Sequence, residues 1–83
     1  MRTPEHFCRD VLLELARADA AHPALHSAHE AYAVLLEEVE EFKAEVWKQR
    51  EARDRQAMYV ELVQVAAVAA RAVRDLGLEE GAP

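Results

Sequence analysis

Apolar side chains recur along this chain at helical spacing in three stretches. In the first, Phe7, Val11, Leu12 and Leu15 form a stripe with the period of an amphipathic helix. Thr3 stands where an N-cap belongs and Pro4 takes the favoured first helical position. The helix is expected over about residues 4–20. It should fade through Asp19–His22, because Pro23 pushes its predecessor out of the helical region.

The second stretch opens on Ser27 with Glu30 three residues later, the pattern of a capping box. Tyr32, Leu35, Leu36, Val39, Phe42, Val46 and Trp47 then follow on one expected face. This predicts a helix over about 28–50, roughly 35 Å long. The charged segment Arg50–Arg55 reads as a turn, Asp54 as the next N-cap, and a third helix is expected over about 55–76. Gly77 is placed to be its left-handed C′ residue.

Winding the third helix puts Glu61, Gln64, Arg71 and Asp75 on one narrow stripe, and nearly everything else from Val60 to Val73 is Val, Ala or Leu. A helix apolar over most of its circumference needs cover on more than one side. A second copy of the chain is the expected cover, with the alanines of the third helix at the interface. The fold class expected is therefore all-α: one helical domain, residues 1–83, assembling with itself as a homodimer or homotetramer.

Composition narrows the picture. Hydrophobic residues make up 52% of the 83, too many for disorder, and two glycines with three prolines suit long helices better than a many-turned β fold. A domain this small buries a modest share of its surface. A net charge of −6 argues against nonspecific binding to nucleic acid or anionic membranes. No apolar run approaches the ~20 residues of a membrane span and no signal peptide is visible, so a cytoplasmic location is expected. The single cysteine, Cys8, excludes an internal disulfide or a Cys-based zinc framework, and is expected as a small packed side chain.

The chemistry lies in the acids. Glu37, Glu38, Glu40, Glu41 and Glu45 crowd the second helix, with Glu38, Glu41 and Glu45 along one edge of its apolar face. Glu38 and Glu41 are three apart, so their carboxylates are neighbours and repel. A hard divalent cation with oxygen ligands offsets such repulsion. Glu61 and Gln64 repeat the spacing on the third helix, and if the two helices pack antiparallel through their apolar faces both pairs converge on one site. The competing reading is a solvated acidic face, since Glu is a good helix former.

Leu36-Glu37-Glu38-Val39-Glu40-Glu41-Phe42 followed by Glu61-Leu62-Val63-Gln64 resembles the MazG-like, all-α nucleoside triphosphate pyrophosphohydrolases. That family carries Glu-Glu-x-x-Glu on one helix and Glu-x-x-Asp on the next, and splits a nucleoside triphosphate into a monophosphate and pyrophosphate with Mg²⁺. The resemblance covers about Leu25 to Leu76. It implies an oligomeric bundle with Glu38, Glu41, Glu61 and Gln64 as ligands of Mg²⁺ or Mn²⁺. Glu37 or Glu38 would act on the attacking water, and a nucleoside triphosphate would be the substrate. Leu25-His26-Ser27 resembles the Phe-His-Thr that helps form the base pocket in the dCTP-cleaving branch, which implies a substrate-binding role for His26. Lys48, Arg50, Arg53 and Arg55 are candidate cations for the leaving pyrophosphate, Lys48 foremost.

Two positions depart from the pattern. Gln64 stands where the family has Asp and offers a metal a carbonyl oxygen but no charge. Glu40 replaces a residue that is often Gly. A second reading follows: a noncatalytic helical oligomer with a relict metal site, acting through protein contacts or nucleotide sensing. His22, His26 and His29 do not share an assured helical face and are not expected to bind metal. Trp47 and Tyr59 are expected as core or interface aromatics.

Overall fold

The structure, a computed structural model, describes residues 3–80. Three α-helices follow in order: α1 (Pro4–Ala21), α2 (Ala28–Val46) and α3 (Arg55–Asp75), with one 3-10 turn at Arg50–Ala52. No strand occurs among the described residues. No helix among them is long and apolar enough to cross a membrane.

Local chemistry sets most of the boundaries. Ser27 Oγ accepts from the Glu30 N–H at 3.0 Å. The Glu30 carboxylate reaches the N–H of His26, at 2.6 Å, one residue before the cap. Asp54 caps α3 by accepting from Gln56 and Ala57 N–H at 2.9 and 3.1 Å. Gly77 closes α3 at φ 65°. There Leu78 N–H donates to Val73 C=O (3.0 Å) and Gly77 N–H to Arg74 C=O (3.2 Å), the paired bonds of a Schellman motif.

Helix α2 ends at Val46 rather than near Arg50. Arg53 Nε–H donates to the Val46 carbonyl at 3.1 Å, satisfying a helix-end acceptor from across the turn. Gln49, at φ −58° and ψ 147°, has left the helical region.

Helix α3 is the centre of the fold. Both α1 and α2 pack against it and make no contact with each other. Its Val63, Ala67 and Val68 are buried with Ala18 of α1, Leu25 of the linking loop and Ala31 of α2. These are mostly small side chains, and no large one is fully buried. The radius of gyration is 14.1 Å, against about 12 Å for a compact chain of this length. The chain is elongated, 46 Å by 28 Å by 28 Å.

The polar stripe of α3 faces inward. Glu61, Gln64 and Asp75 are half-buried and Arg71 is buried, between the two flanking helices. Three further expectations are corrected. The buried face of α2 carries Ala31, Val34, Leu35, Glu38, Phe42, Glu45 and Val46, whereas Tyr32, Leu36, Val39 and Trp47 are exposed. Trp47 lies under the Lys43 ammonium, 5.7 Å from the ring centroid, and not in the core. Leu12 and Cys8 are exposed on α1. Tyr59 is half-buried, edge-on to Phe7 with centroids 6.0 Å apart, and its hydroxyl donates to Asp10.

The last turn of α3 fixes the loop between α1 and α2. Asp75 accepts from Leu25 N–H at 2.9 Å, and Arg71 Nη2 donates to Pro23 C=O at 3.1 Å. Arg74 pairs with Asp19 and Asp75 at 2.8 and 2.9 Å. The Leu25 N–H, then Arg74, hold the Asp75 carboxyl below the usual carboxylate range.

Candidate metal centre

The packing of α2 against α3 brings Glu38, Glu41 and Glu61 together. One carboxylate oxygen from each lies within 4.8 Å of the others. Glu38 and Glu41 share a face of α2 by their three-residue spacing, and Glu61 faces them from α3. Glu38 and Glu61 are half-buried and Glu41 is exposed.

Crowding and burial leave a clear electrostatic mark. Burial first, then the charges of Glu41, Glu61 and Glu37, pushes the Glu38 carboxyl up to about 7. The Glu61 carboxyl is raised too, first by burial, then by its contact with Glu41 and the charge of Glu45. Among the described residues no lysine or arginine forms an ion pair with any of the three. A divalent cation suits this donor set: hard oxygens, crowded and without a cationic partner.

Gln64 joins the cluster, with its amide nitrogen toward it. The side-chain N–H groups donate to Glu38 Oε2 at 3.0 Å and Glu61 Oε2 at 3.2 Å, an orientation assigned from the hydrogen-bond network. To offer its oxygen to a metal, the amide must turn over about its last torsion.

Beside the cluster, a cavity of about 360 Å³ runs between the three helices. Glu37, Glu38 and Gln64 border it at the acidic end, and Ala18, Val34, Ala67 and Val68 supply apolar walls. Of the other candidates, His26 does not line it, whereas its neighbours Pro23, Ala24 and Leu25 do. Lys48 lies outside the lining as well and donates to Glu45 Oε2 at 2.8 Å. Arg53 is occupied in capping α2.

Sequence reasoning missed three contributors. Glu14 and Arg17 reach the cavity from α1 as an ion pair. Their three-residue spacing was visible, but nothing in it said that this face of α1 opens on a cavity it shares with α2 and α3. Arg71 was visible on the polar stripe of α3, and only the packing shows that the stripe turns inward. Glu45, placed by sequence at the edge of the cluster, is half-buried there with its Oε1 lacking a hydrogen-bond partner.

No protein-family model, curated protein or solved structure matches the chain.

Proposed function

We propose that this chain is a divalent-cation-dependent nucleoside triphosphate pyrophosphohydrolase. The observation that carries the reading is the convergence of Glu38, Glu41 and Glu61 from two helices, with Glu38 also lining a cavity. The cavity has the volume of a small-molecule site, with apolar walls and a few converging polar groups.

Glu38, Glu41 and Glu61 would hold Mg²⁺ or Mn²⁺, with Gln64 as a neutral fourth ligand once its amide has turned. The metal supplies charge neutralisation for the triphosphate oxygens and a lowered pKa for water. Glu37 borders the cavity beside Glu38 and is the group to orient that water and take its proton. Water then adds to the α-phosphorus, the bond to the oxygen bridging toward the β-phosphorus breaks, and pyrophosphate leaves with the electron pair. Arg17, whose pKa is raised first by its pairing with Glu14 and then by the charge of Glu38, lines the cavity and is the cation best placed near the phosphates.

The reading includes self-association. Tyr32, Leu36 and Val39 form an exposed stripe on α2, and Val60 and Leu62 are partly exposed on α3. An elongated protomer with this much uncovered apolar surface is stabilised by a second copy. The interface is placed on these residues, because Ala67, expected there from sequence, is 2% exposed within the protomer.

The noncatalytic alternative rests on Gln64. Its two hydrogen bonds give the carboxylates a partner without any metal. Release of pyrophosphate and a nucleoside monophosphate from a triphosphate, in the presence and absence of Mg²⁺, separates the two readings.

A further inference from the structure

Arg71 is buried, at 6% exposure. It borders the same cavity as Glu38 and Gln64. Seven residues separate Gln64 from Arg71 on α3, so the two positions lie roughly 10 Å apart along the helix. The cavity thus runs from carboxylates at one end to a guanidinium at the other.

A guanidinium carries five N–H donors and stays charged. Arg71 gives one bond to Pro23 C=O at 3.1 Å. Its Nε–H is shut off from solvent and has no hydrogen-bond partner. Asp75 lies close enough to feel its charge, but is engaged by Leu25 N–H and Arg74. A buried donor left in this state is costly and calls for an acceptor.

We propose that Arg71 is the specificity-determining residue of this cavity and selects nucleotides whose base carries a carbonyl oxygen. The nucleotide part rests on the pyrophosphohydrolase reading; the selectivity rests on Arg71. The walls at Ala18, Val34, Ala67 and Val68 suit the faces of a flat ring. Glu30 and Glu37 also line the space, so a second anionic group is repelled, while a neutral ring with its own N–H groups is accommodated. Arginine pairs well with a carbonyl beside an unprotonated ring nitrogen, as on guanine. Adenine has no carbonyl: beside its N7 and N1 acceptors stands an amino donor, so it cannot accept two bonds from the guanidinium fork there. For the Nε–H to meet a group in the cavity, the planar guanidinium turns about its Cδ–Nε bond and gives up the bond from Nη2 to Pro23 C=O.

The test is calorimetric titration of the Mg²⁺-loaded protein with α,β-methylene triphosphate analogues of guanosine, cytidine, uridine and adenosine. At least one carbonyl-bearing analogue is expected to bind about tenfold or more tightly than the adenosine analogue. Arg71→Met should erase that preference and leave Mg²⁺ affinity in place. Arg71→Lys keeps the charge and removes the planar fork, so it should lose the preference while melting as a folded helical protein. Equal binding of the adenosine analogue, a preference that survives in folded Arg71→Lys, or no binding of any analogue overturns the proposal. Selective binding without hydrolysis of the matching triphosphate overturns the pyrophosphohydrolase reading and leaves Arg71 as the selector. Hydrolysis without base preference does the reverse.

Discussion

Gln64 on α3 donates its side-chain N–H to Glu38 Oε2 on α2 at 3.0 Å, so a neutral amide holds a carboxylate of the acidic cluster. The same amide reaches Glu61 at 3.2 Å. It partly does what a cation does, and does it without charge. Gln64→Glu keeps the reach, removes both donors and adds a fourth negative charge. The metal-free variant is expected to be less stable by about 1–3 kcal/mol, and its Mg²⁺ affinity to rise about tenfold. Calorimetric Mg²⁺ titration and melting with and without Mg²⁺ check both signs. Unchanged affinity would place Gln64 outside the metal's ligands.

The Glu38 carboxyl ionises near 7 in the fold and near its ordinary value of 4.5 in the unfolded chain. The folded state therefore holds the proton more tightly, and stability without metal falls as pH rises from about 4.5 to about 7. Fully shielded, a displacement of this size would correspond to about 3 kcal/mol; solvent screening of this partly exposed group reduces it to roughly 1–2 kcal/mol. Glu61, also raised, acts in the same direction. Urea midpoints of the metal-free protein should drop between about pH 5 and pH 8, and Glu38→Gln should flatten the profile. Millimolar Mg²⁺ should reverse the slope, because the metal binds the deprotonated carboxylates. A flat profile in the unmodified, metal-free protein contradicts the crowding.

Asp75 accepts the Leu25 N–H from a side chain that is 5% exposed. Asp75→Ala leaves that donor unpaired beneath the loop that walls the cavity. The expected loss is about 1–3 kcal/mol, with weaker protection of the Leu25 amide in hydrogen exchange. A change within about 0.5 kcal/mol would show that the loop is held by other contacts.

The legible parts of this chain were the local ones. Ser27, Asp54 and Gly77 each act within a few residues, and each does what its position dictates. The pairing of Glu38 with Glu41 follows from helical spacing alone, and the contribution of Glu61 from packing one helix against the next. Periodicity gives the angle of a side chain about its helix, not which angle meets a partner. Tyr32 and Leu36 were therefore assigned to a face that the structure divides, and Arg71 gave no sign that it turns inward. The end of α2 depends on Arg53 reaching back seven residues to Val46, a side-chain cap that no local motif announces.

Leu36 and Val39 are about 40% exposed, at 40% and 41%, and Tyr32 beside them is 65% exposed. If this stripe lies between two copies of the chain, Leu36→Lys places an unpaired charge in the interface. Sedimentation should then show the unmodified protein as a dimer or larger at micromolar concentration and the variant as a smaller species that keeps its helical content. An unmodified protein that is already monomeric ends this part of the account.

Pyrophosphate release from a panel of nucleoside triphosphates, with Mg²⁺ and with the metal chelated, bears most directly on the proposed activity. Pyrophosphate and the nucleoside monophosphate are expected in equal amounts with at least one nucleotide and only with metal present. Glu38→Gln, folded by its melting curve, should lower the rate by about a hundredfold or more. Absence of pyrophosphate with every nucleotide in Mg²⁺ or Mn²⁺, from a protein that still binds the metal, would contradict the enzyme and leave the noncatalytic reading.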